Sequence, residues 1–186
     1  MRKLYVPALL LTFTLAAAAA DMDPAASKVT IHVEKSGLFA AFAHNHIVSA
    51  PLASGRLDPD QRTVELKFHT ADLKVLDPGS SASEREKIQS TMQSSEVLDP
   101  AKFPEISFAS TSVESPSGNR YLAHGNLTLH GVTKPVDVPV SFANGHYTGK
   151  VTIKQTEFGI TPVRIAGGAV RVKDPITIEF DIVTAN

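Results

Sequence analysis

Two alternating segments meet at a glycine near the middle of the chain, in the stretch YLAHGNLTLHGVTKPVDVPVSF from Tyr121 to Phe142. On each side of Gly131, apolar or small residues take every second position, with mostly polar residues between them, which is the period of a β-strand with one dry and one wet face. Pro135 and Pro139 lack the backbone N–H that a sheet uses, so we expect the second strand to lie at an edge or to bend. The stretch therefore predicts a β-hairpin.

The same alternation recurs along the rest of the chain in short segments, separated by turn-forming clusters such as Asn144-Gly145. About eight such strands, without the rhythm of strand and crossover helix, indicate an all-β fold: an eight-stranded antiparallel barrel. Strand parity predicts an inner face without charge, formed by Val29, Ile31, Val33, Val64, Leu66, Phe68, Ile106, Phe108, Leu127, Leu129, Val138, Val140, Val151, Ile153, Ile178, Phe180 and Ile182.

Helical patterns are few. Ser83–Gln93 predicts one helix, with Ser83 or Ser81 as its N-cap and a narrow apolar stripe that would cover an end or edge of the barrel. Ser36–Ala43 indicates a short helical turn or an apolar flap at the barrel mouth, and Gly159–Gly168 indicates a loop at the rim.

The first twenty residues have the three parts of a secretory signal peptide: a charged start, an apolar run from Leu4 to Leu15, and a small-residue cleavage site before Asp21. The run is shorter than the ~20 apolar residues of a membrane span. We therefore expect residues 1–20 to be cleaved and residues 21–186 to form one barrel domain that is exported to the periplasm without an integral membrane segment. Asp21–Lys28 is expected to be a polar, mobile leader.

Charge and composition disfavour several classes of function. Removing the signal peptide takes two of the 18 Lys and Arg and none of the 19 Asp and Glu, which leaves 16 − 19 = −3. No basic stripe is present, so nucleic acid is not an expected partner. The chain has no Cys and no Gly-x-Ser-x-Gly elbow, and its carboxylate pairs fall where helix caps and turns explain them. We therefore expect a binding protein without a cofactor, and not an enzyme.

The histidines suggest a second kind of site. His44 and His46 are two positions apart, so on a strand both rings would face the same side and could supply two ligands to zinc or copper. No acidic or cysteine ligand has matching spacing, which favours solvated or structural roles. The metal-binding alternative uses His44 and His46, with a third ligand from His32, His69, His124, His130 or His146.

Three motifs carry a resemblance to a known family: FPEISFAST (Phe103 to Thr111), GNLTLHGVTKPV (Gly125 to Val136) and TEFGI (Thr156 to Ile160). With them, nearly the whole chain after Ala20 resembles the YceI-like family of small secreted bacterial proteins. The resemblance implies a lipocalin-like barrel whose lumen holds a long isoprenoid chain, and it implies that the protein could pair as a homodimer. It also implies that a polar residue early in the chain, here His44 or His46, contacts the ligand head group.

Strand parity and the position of these motifs together predict the residues that line a ligand cavity: Phe39, Phe42, Phe68, Phe108, Leu127, Leu129, Phe158 and Phe180, with Ile160 at the rim. The predicted function is transport or storage of an isoprenoid or another amphiphilic lipid in the periplasm. Two alternatives remain open: a metal-binding or redox-associated accessory protein that uses His44 and His46, and a ligand-free, stress-related structural module. The last alternative predicts an interior without a continuous cavity.

Overall fold

The computed structural model describes residues 19–37 and 45–185. In chain order these residues form β1 (Ala20–Asp21), β2 (Lys28–Ser36), β3 (His46–Ser49), β4 (Ser54–Asp58), β5 (Thr63–His69), β6 (Lys74–Val75), α1 (Ala82–Met92), β7 (Glu105–Ser117), β8 (Arg120–Leu129), β9 (Val132–Ala143), β10 (His146–Lys154), β11 (Arg164–Ile165) and β12 (Val170–Val183). Short 3₁₀ turns lie at Thr70–Asp72, Gln155–Phe158 and Ala166–Gly168. In this part of the chain no helix has the length and apolarity that crossing a membrane requires.

The long strands form an antiparallel meander, and β12 pairs back with β2. Two lines of the wall are each built from two short strands in succession: β1 with β2, and β3 with β4. Because β2 pairs with β3 and β1 pairs with β4, these two interrupted lines run side by side. The wall thus has eight lines: β1/β2, β3/β4, β5, β7, β8, β9, β10 and β12. The predicted lipocalin-like, antiparallel β-barrel is confirmed, with some of its strands divided.

The segment Asp21–Asp23 completes the wall between β4 and β12. The amide of Met22 donates to the carbonyl of Gly55 at 2.8 Å, and the amide of Asp23 donates to the carbonyl of Val183 at 2.7 Å. Met22 also forms a β-bridge with the residue that follows β12, and it is only 5% exposed. The chain here is paired with both neighbouring strands and buries Met22, where the sequence predicts a mobile leader. We call this segment the N-terminal clip.

The predicted central hairpin is present as β8 and β9, which pair over their whole length from Arg120 opposite Ser141 to Leu129 opposite Val132. Its two-residue turn is His130-Gly131, with φ of 51° and 72°. Positive φ at both positions gives the backbone twist that a tight hairpin requires, and glycine adopts it without steric cost. A Cβ at Gly131 would also lie 2.6 Å from the Phe103 ring, so the turn and its packing both require glycine.

Strand β9 has a neighbour on both sides near its C-terminal end, but only β8 beside it over the rest of its length. It pairs with β10 only from Val140 to Ala143, and Pro135 and Pro139 lie in the part without a β10 partner. The prediction that these prolines mark a sheet edge therefore holds for the half of β9 that has no β10 partner. The turn Gln155–Phe158 packs against β9, β10 and β12, at the place where β9 and β10 diverge.

Helix α1 begins one residue earlier than predicted and uses Ser81 as its N-cap. The Ser81 hydroxyl accepts a hydrogen bond from the Glu84 amide, and the Glu84 carboxylate accepts one from the Ser81 amide, which completes a capping box. The helix is attached by the Gln89 side chain, which accepts from the Val75 amide and donates to the Leu73 carbonyl, both at 2.8 Å. The helix therefore covers the edge at β6.

The two ends of the barrel differ. The end with the β4–β5, β7–β8 and β9–β10 turns is called the hairpin end, and the end with α1 and the β8–β9 turn is called the helix end. The core at the helix end contains Val48, Leu52, Val75, Val97, Leu98, Leu129, Ile153, Phe158 and Ile160, all between 0% and 8% exposed. Ile88 and Met92 of α1 pack against it.

Candidate ligand-binding cavity

The barrel encloses a cavity of ≈ 480 Å³, which is within the range of ~300–1,000 Å³ that is usual for small-molecule sites. Its apolar lining comes from every line of the wall and consists of Met22, Val29, Ile31, Ala50, Leu57, Pro59, Val64, Leu66, Phe68, Leu73, Ile106, Phe108, Val113, Ala123, Leu127, Val136, Val138, Val140, Val151, Ile178, Phe180 and Ile182. Most of the predicted inner face is among these residues. Most of the cavity wall can therefore make apolar contacts with a hydrocarbon chain.

Two glycines let aromatic rings lie against the wall. A Cβ on Gly125 would lie 2.5 Å from Cζ of Phe108, and a Cβ on Gly149 would overlap the Phe180 ring. Gly149 is the direct cross-strand partner of Phe180, so the ring covers the bare backbone of its neighbour. Because the rings occupy the space that side chains would take at the glycines, both lie along the wall of the lumen.

The cavity reaches the surface at the hairpin end. Its lining there includes the exposed turn residues Pro59 and Arg62, whereas the helix end is closed by the core around Phe158. The polar lining residues are Arg62, Ser115, Tyr121 and Tyr147, which belong to the β4–β5 turn, the far end of β7 and the starts of β8 and β10. We call these four residues the mouth cluster.

Tyr147 is a half-buried phenol of the mouth cluster. Burial raises the pKa of its hydroxyl above the usual value, and the neighbouring Tyr121 raises it further. The Tyr147 phenol is therefore a neutral hydrogen-bond donor at ordinary pH. Its ring packs on Phe142, with 4.6 Å between the ring centroids. This contact fixes the position of one side of the mouth.

The structure divides the predicted lining residues into three groups. Phe68, Phe108, Leu127 and Phe180 line the cavity. Leu129, Phe158 and Ile160 are buried in the core that closes the helix end, at 7%, 0% and 3% exposure. Phe39 and Phe42 lie outside the described residues, as do His44 and most of the predicted flap. Ligand contact remains a prediction, and the geometry favours the first group for it.

His46 has a defined partner. Its Nδ1 lies 2.7 Å from Oδ2 of Asp77, whose side chain is 2% exposed, and Oδ1 of Asp77 accepts the Ile47 amide at 2.7 Å. This arrangement anchors the start of β3 to the segment that precedes α1. Within residues 19–37 and 45–185, no group of three or more His, Asp or Glu side chains is arranged to hold a metal ion. The His46 ring thus has a structural hydrogen bond at one nitrogen.

Three other histidines lie on the outer face in pairs with carboxylates: His32 with Glu179, His124 with Asp137, and His146 with Asp181, at 2.6 to 3.0 Å. A hydrogen bond to Asp137 raises the pKa of His124 above its usual value, and the charges of Asp137 and Glu114 add to this against the opposing effect of desolvation. These pairs lie on neighbouring strands and support the sheet from outside.

The mouth cluster was not predicted from the sequence. Tyr121 shares the parity of Leu127 and Tyr147 shares that of Val151, so the alternation contains the signal for both. Ser115 could not be found in this way, because β7 has a register shift between Ser110 and Ser112 that reverses its parity. Arg62 lies in a turn, where no periodic signal exists.

Comparison with known proteins gives one family. The family model described as "YceI-like domain" matches residues 21–184. A UPF0312 protein of Shewanella sp. (strain MR-7) is 29% identical over 177 residues, which cover 86% of this chain and 88% of the relative. A UPF0312 protein of Pseudomonas putida (strain W619) is 33% identical over 117 residues, 57% of this chain and 59% of the relative.

Solved structures share the fold at low sequence identity. BcnA of Burkholderia cenocepacia superposes with a TM-score of 0.64 at 22% identity, covering 88% of this chain and 99% of the other. A polyisoprenoid binding domain from Saccharophagus degradans superposes with a TM-score of 0.60 at 14% identity, covering 88% of this chain and 96% of the other. The YCEI protein of Campylobacter jejuni superposes with a TM-score of 0.54 at 17% identity, covering 75% of this chain and 81% of the other.

Proposed function

This chain belongs to the YceI-like domain family, and on that premise we propose that it is an exported, non-catalytic carrier of lipid. Its ligand is an isoprenoid or another amphiphile whose apolar chain occupies the barrel cavity, and its role is transport or storage in the periplasm. The predicted signal peptide supports export. The absence of a recognisable nucleophile motif in the sequence supports a binding role.

The apolar lining of the cavity is the observation that carries this proposal. Its polar side chains all belong to the mouth cluster, and its inner part is lined by aliphatic side chains and Phe rings. Each methylene that leaves water for such a site contributes ~0.8 kcal/mol, so a chain of several isoprene units binds without a charged anchor in the interior. A ligand-free module would not need a cavity of ≈ 480 Å³.

The family relationship supports the same class of ligand. A structural neighbour with the same fold is described as a polyisoprenoid binding domain. Its identity to this chain is only 14%, so this likeness by itself establishes the fold alone. The support for lipid in this chain comes from the fold together with its own cavity.

Native mass spectrometry of the untagged protein, purified from the periplasm of its own host and followed by solvent extraction, tests the proposal. We expect an excess mass that extracts into organic solvent and fragments as a polyprenoid or another lipid. An excess equal to a metal ion would instead support the histidine alternative. Protein without any bound mass that also fails to take up added isoprenoid would refute the carrier function.

A matched pair of variants locates the bound molecule. Val140→Trp places a bulky ring in the cavity, whereas Ser141→Trp places the same ring on the outer face of the same strand, next to it. We expect the first variant to retain at least tenfold less lipid and the second to bind as the wild type does. Equal retention by both variants would place the lipid outside the barrel.

A further inference from the structure

The mouth cluster consists of hydrogen-bond donors. The Arg62 guanidinium carries a permanent positive charge, and the hydroxyls of Ser115, Tyr121 and Tyr147 can each donate a proton. In the described part of the chain none of these side chains makes an ion pair or a hydrogen bond with another protein group. The cavity thus combines an apolar interior with unused donors at its opening.

Arg62 is free in spite of acidic neighbours. Asp58 ends β4 and Asp60 lies in the turn that follows, and Asp58 Oδ1 accepts hydrogen bonds from the amides of Asp60 and Gln61, at 3.1 and 2.9 Å. Arg62 also has a φ of 53°, a conformation that favours glycine or asparagine. The turn therefore carries a long cationic side chain at a position where a small residue would be easier to accommodate.

The rest of the lining limits where a polar ligand group can lie. Beyond the mouth cluster the lining has no charged side chain and no side-chain donor, so an ionised group there would lose its water without compensation. At the mouth the same group would meet one cation and three hydroxyl donors. Guanidinium and hydroxyl donors together match the several acceptor oxygens of a phosphate or carboxylate.

Building on the carrier function proposed above, we infer that the mouth cluster selects single-chain amphiphiles with an oxyanion head group, with Arg62 as the main determinant of this selectivity. The apolar chain enters the barrel from the hairpin end, and the phosphate or carboxylate stays at the opening against Arg62, Tyr121 and Tyr147. The head group sets the preference between ligands, and the chain supplies most of the affinity.

Calorimetric titration of delipidated protein with farnesol and with farnesyl phosphate tests this inference, because the two probes share a tail and differ in head group. We expect farnesyl phosphate to bind about tenfold more tightly at low salt. This preference should shrink as salt is added, since part of the attraction lies near the surface and is screened. The affinity for farnesol should not fall with salt.

Arg62→Gln and Arg56→Gln form a matched pair that removes the same charge from the same hairpin. Arg56 is exposed on β4 and is not part of the cavity lining, which includes its neighbour Leu57. We expect Arg62→Gln to abolish the preference for farnesyl phosphate, and Arg56→Gln to keep it. Tyr121→Phe and Tyr147→Phe remove only a hydroxyl and should each reduce the preference severalfold.

The possible outcomes separate the two proposals. Failure of both probes to bind would overturn the carrier function itself. Equal affinity for both probes, or a preference that persists in Arg62→Gln, would overturn head-group selection while leaving the carrier function in place. Inorganic phosphate provides the last test: if it competes as strongly as farnesyl phosphate, the cluster is a site for the free anion and the inference is wrong.

Discussion

Single residues at the helix end fill the core that closes the barrel. Phe158 has no exposed surface, although it belongs to a 3₁₀ turn of only four residues. The turn ends at Gly159, whose φ of 74° reverses the chain so that Phe158 and Ile160 both reach the core. The backbone conformation of one glycine thus allows two apolar side chains to fill the space where β9 and β10 diverge.

Replacing Phe158 by alanine is expected to reduce the free energy of unfolding by ~3–5 kcal/mol, because it removes a buried ring and leaves a void. Urea denaturation of the ligand-free protein measures this loss. Leu76→Ala serves as the control, since Leu76 is 45% exposed and should change stability by no more than ~0.5 kcal/mol. A loss below ~1 kcal/mol for Phe158→Ala would show that its ring is not part of the core.

The pair of His124 and Asp137 predicts a pH dependence. Because the hydrogen bond raises the pKa of His124 in the folded state, the pair stabilises the protein fully below the unfolded value of ~6.5. This contribution is lost as the pH rises through the folded pKa. Titration of the imidazole signals by NMR should show a lower midpoint for His124 in Asp137→Asn.

Asp181→Asn provides the control for this titration, since it removes the carboxylate from His146 and leaves His124 with its own partner. The midpoint of His124 should then stay where it is in the wild type. If Asp137→Asn leaves that midpoint unchanged, the contact at 2.6 Å does not determine the titration of His124.

How far the sequence predicts individual residues depends on whether they lie in a periodic segment. Phe108 and Phe180 lie in clear alternations, and both line the cavity as parity requires. Phe158 was expected to line it as well, but it follows the end of β10, where the alternation stops. Arg62 was missed for the related reason that a turn has no period.

At the scale of elements, α1 shows how a local signal fixes a boundary. Of the two serines that could cap it, Ser81 makes both hydrogen bonds of the capping box, and Ser83 lies inside the helix. The contacts of Gln89 with Val75 and Leu73 then hold the helix at its place on the barrel. The sequence predicts the helix, but these amide contacts join segments that only the folded chain brings together.

Ser81→Ala is expected to lower the free energy of unfolding by ~1 kcal/mol, because the Glu84 amide at the helix start loses its side-chain acceptor. Ser83→Ala should have almost no effect or stabilise slightly, because alanine is the better helix former. Chemical denaturation of both variants compares them directly. Equal losses in the two would mean that the cap does not stabilise the helix.

The whole molecule is a barrel whose closure depends on both ends of the described chain. The eight lines of the wall follow from alternation and turn signals, and these can be read from the sequence. Closure of the barrel cannot be predicted from such signals, because the N-terminal clip is only three residues long and has no alternation of apolar and polar residues. Its role arises from pairing with Gly55 and Val183, which are far apart in the sequence.

A truncated chain that starts at Ser27 is expected to be less stable than one that starts at Asp21. The shorter chain lacks the backbone hydrogen bonds of the clip and the buried side chain of Met22, a loss of ~2–5 kcal/mol. For a chain of this size, each kcal/mol lowers the melting temperature by ~2–4 °C. Met22→Ala in the chain that starts at Asp21 should reproduce much of the effect, and identical melting of all three proteins would contradict the role of the clip.

The prolines of β9 have a consequence for contact between molecules. Over the part of the strand that β10 leaves unpaired, an ordinary sequence would offer a row of free amides onto which a strand of a second molecule could dock. Pro135 and Pro139 remove two of the amides of this stretch, and the charged side chains of Lys134 and Asp137 stand exposed along it. The half of β9 without a β10 partner can thus remain a strand edge at high concentration without recruiting neighbouring molecules into a growing sheet.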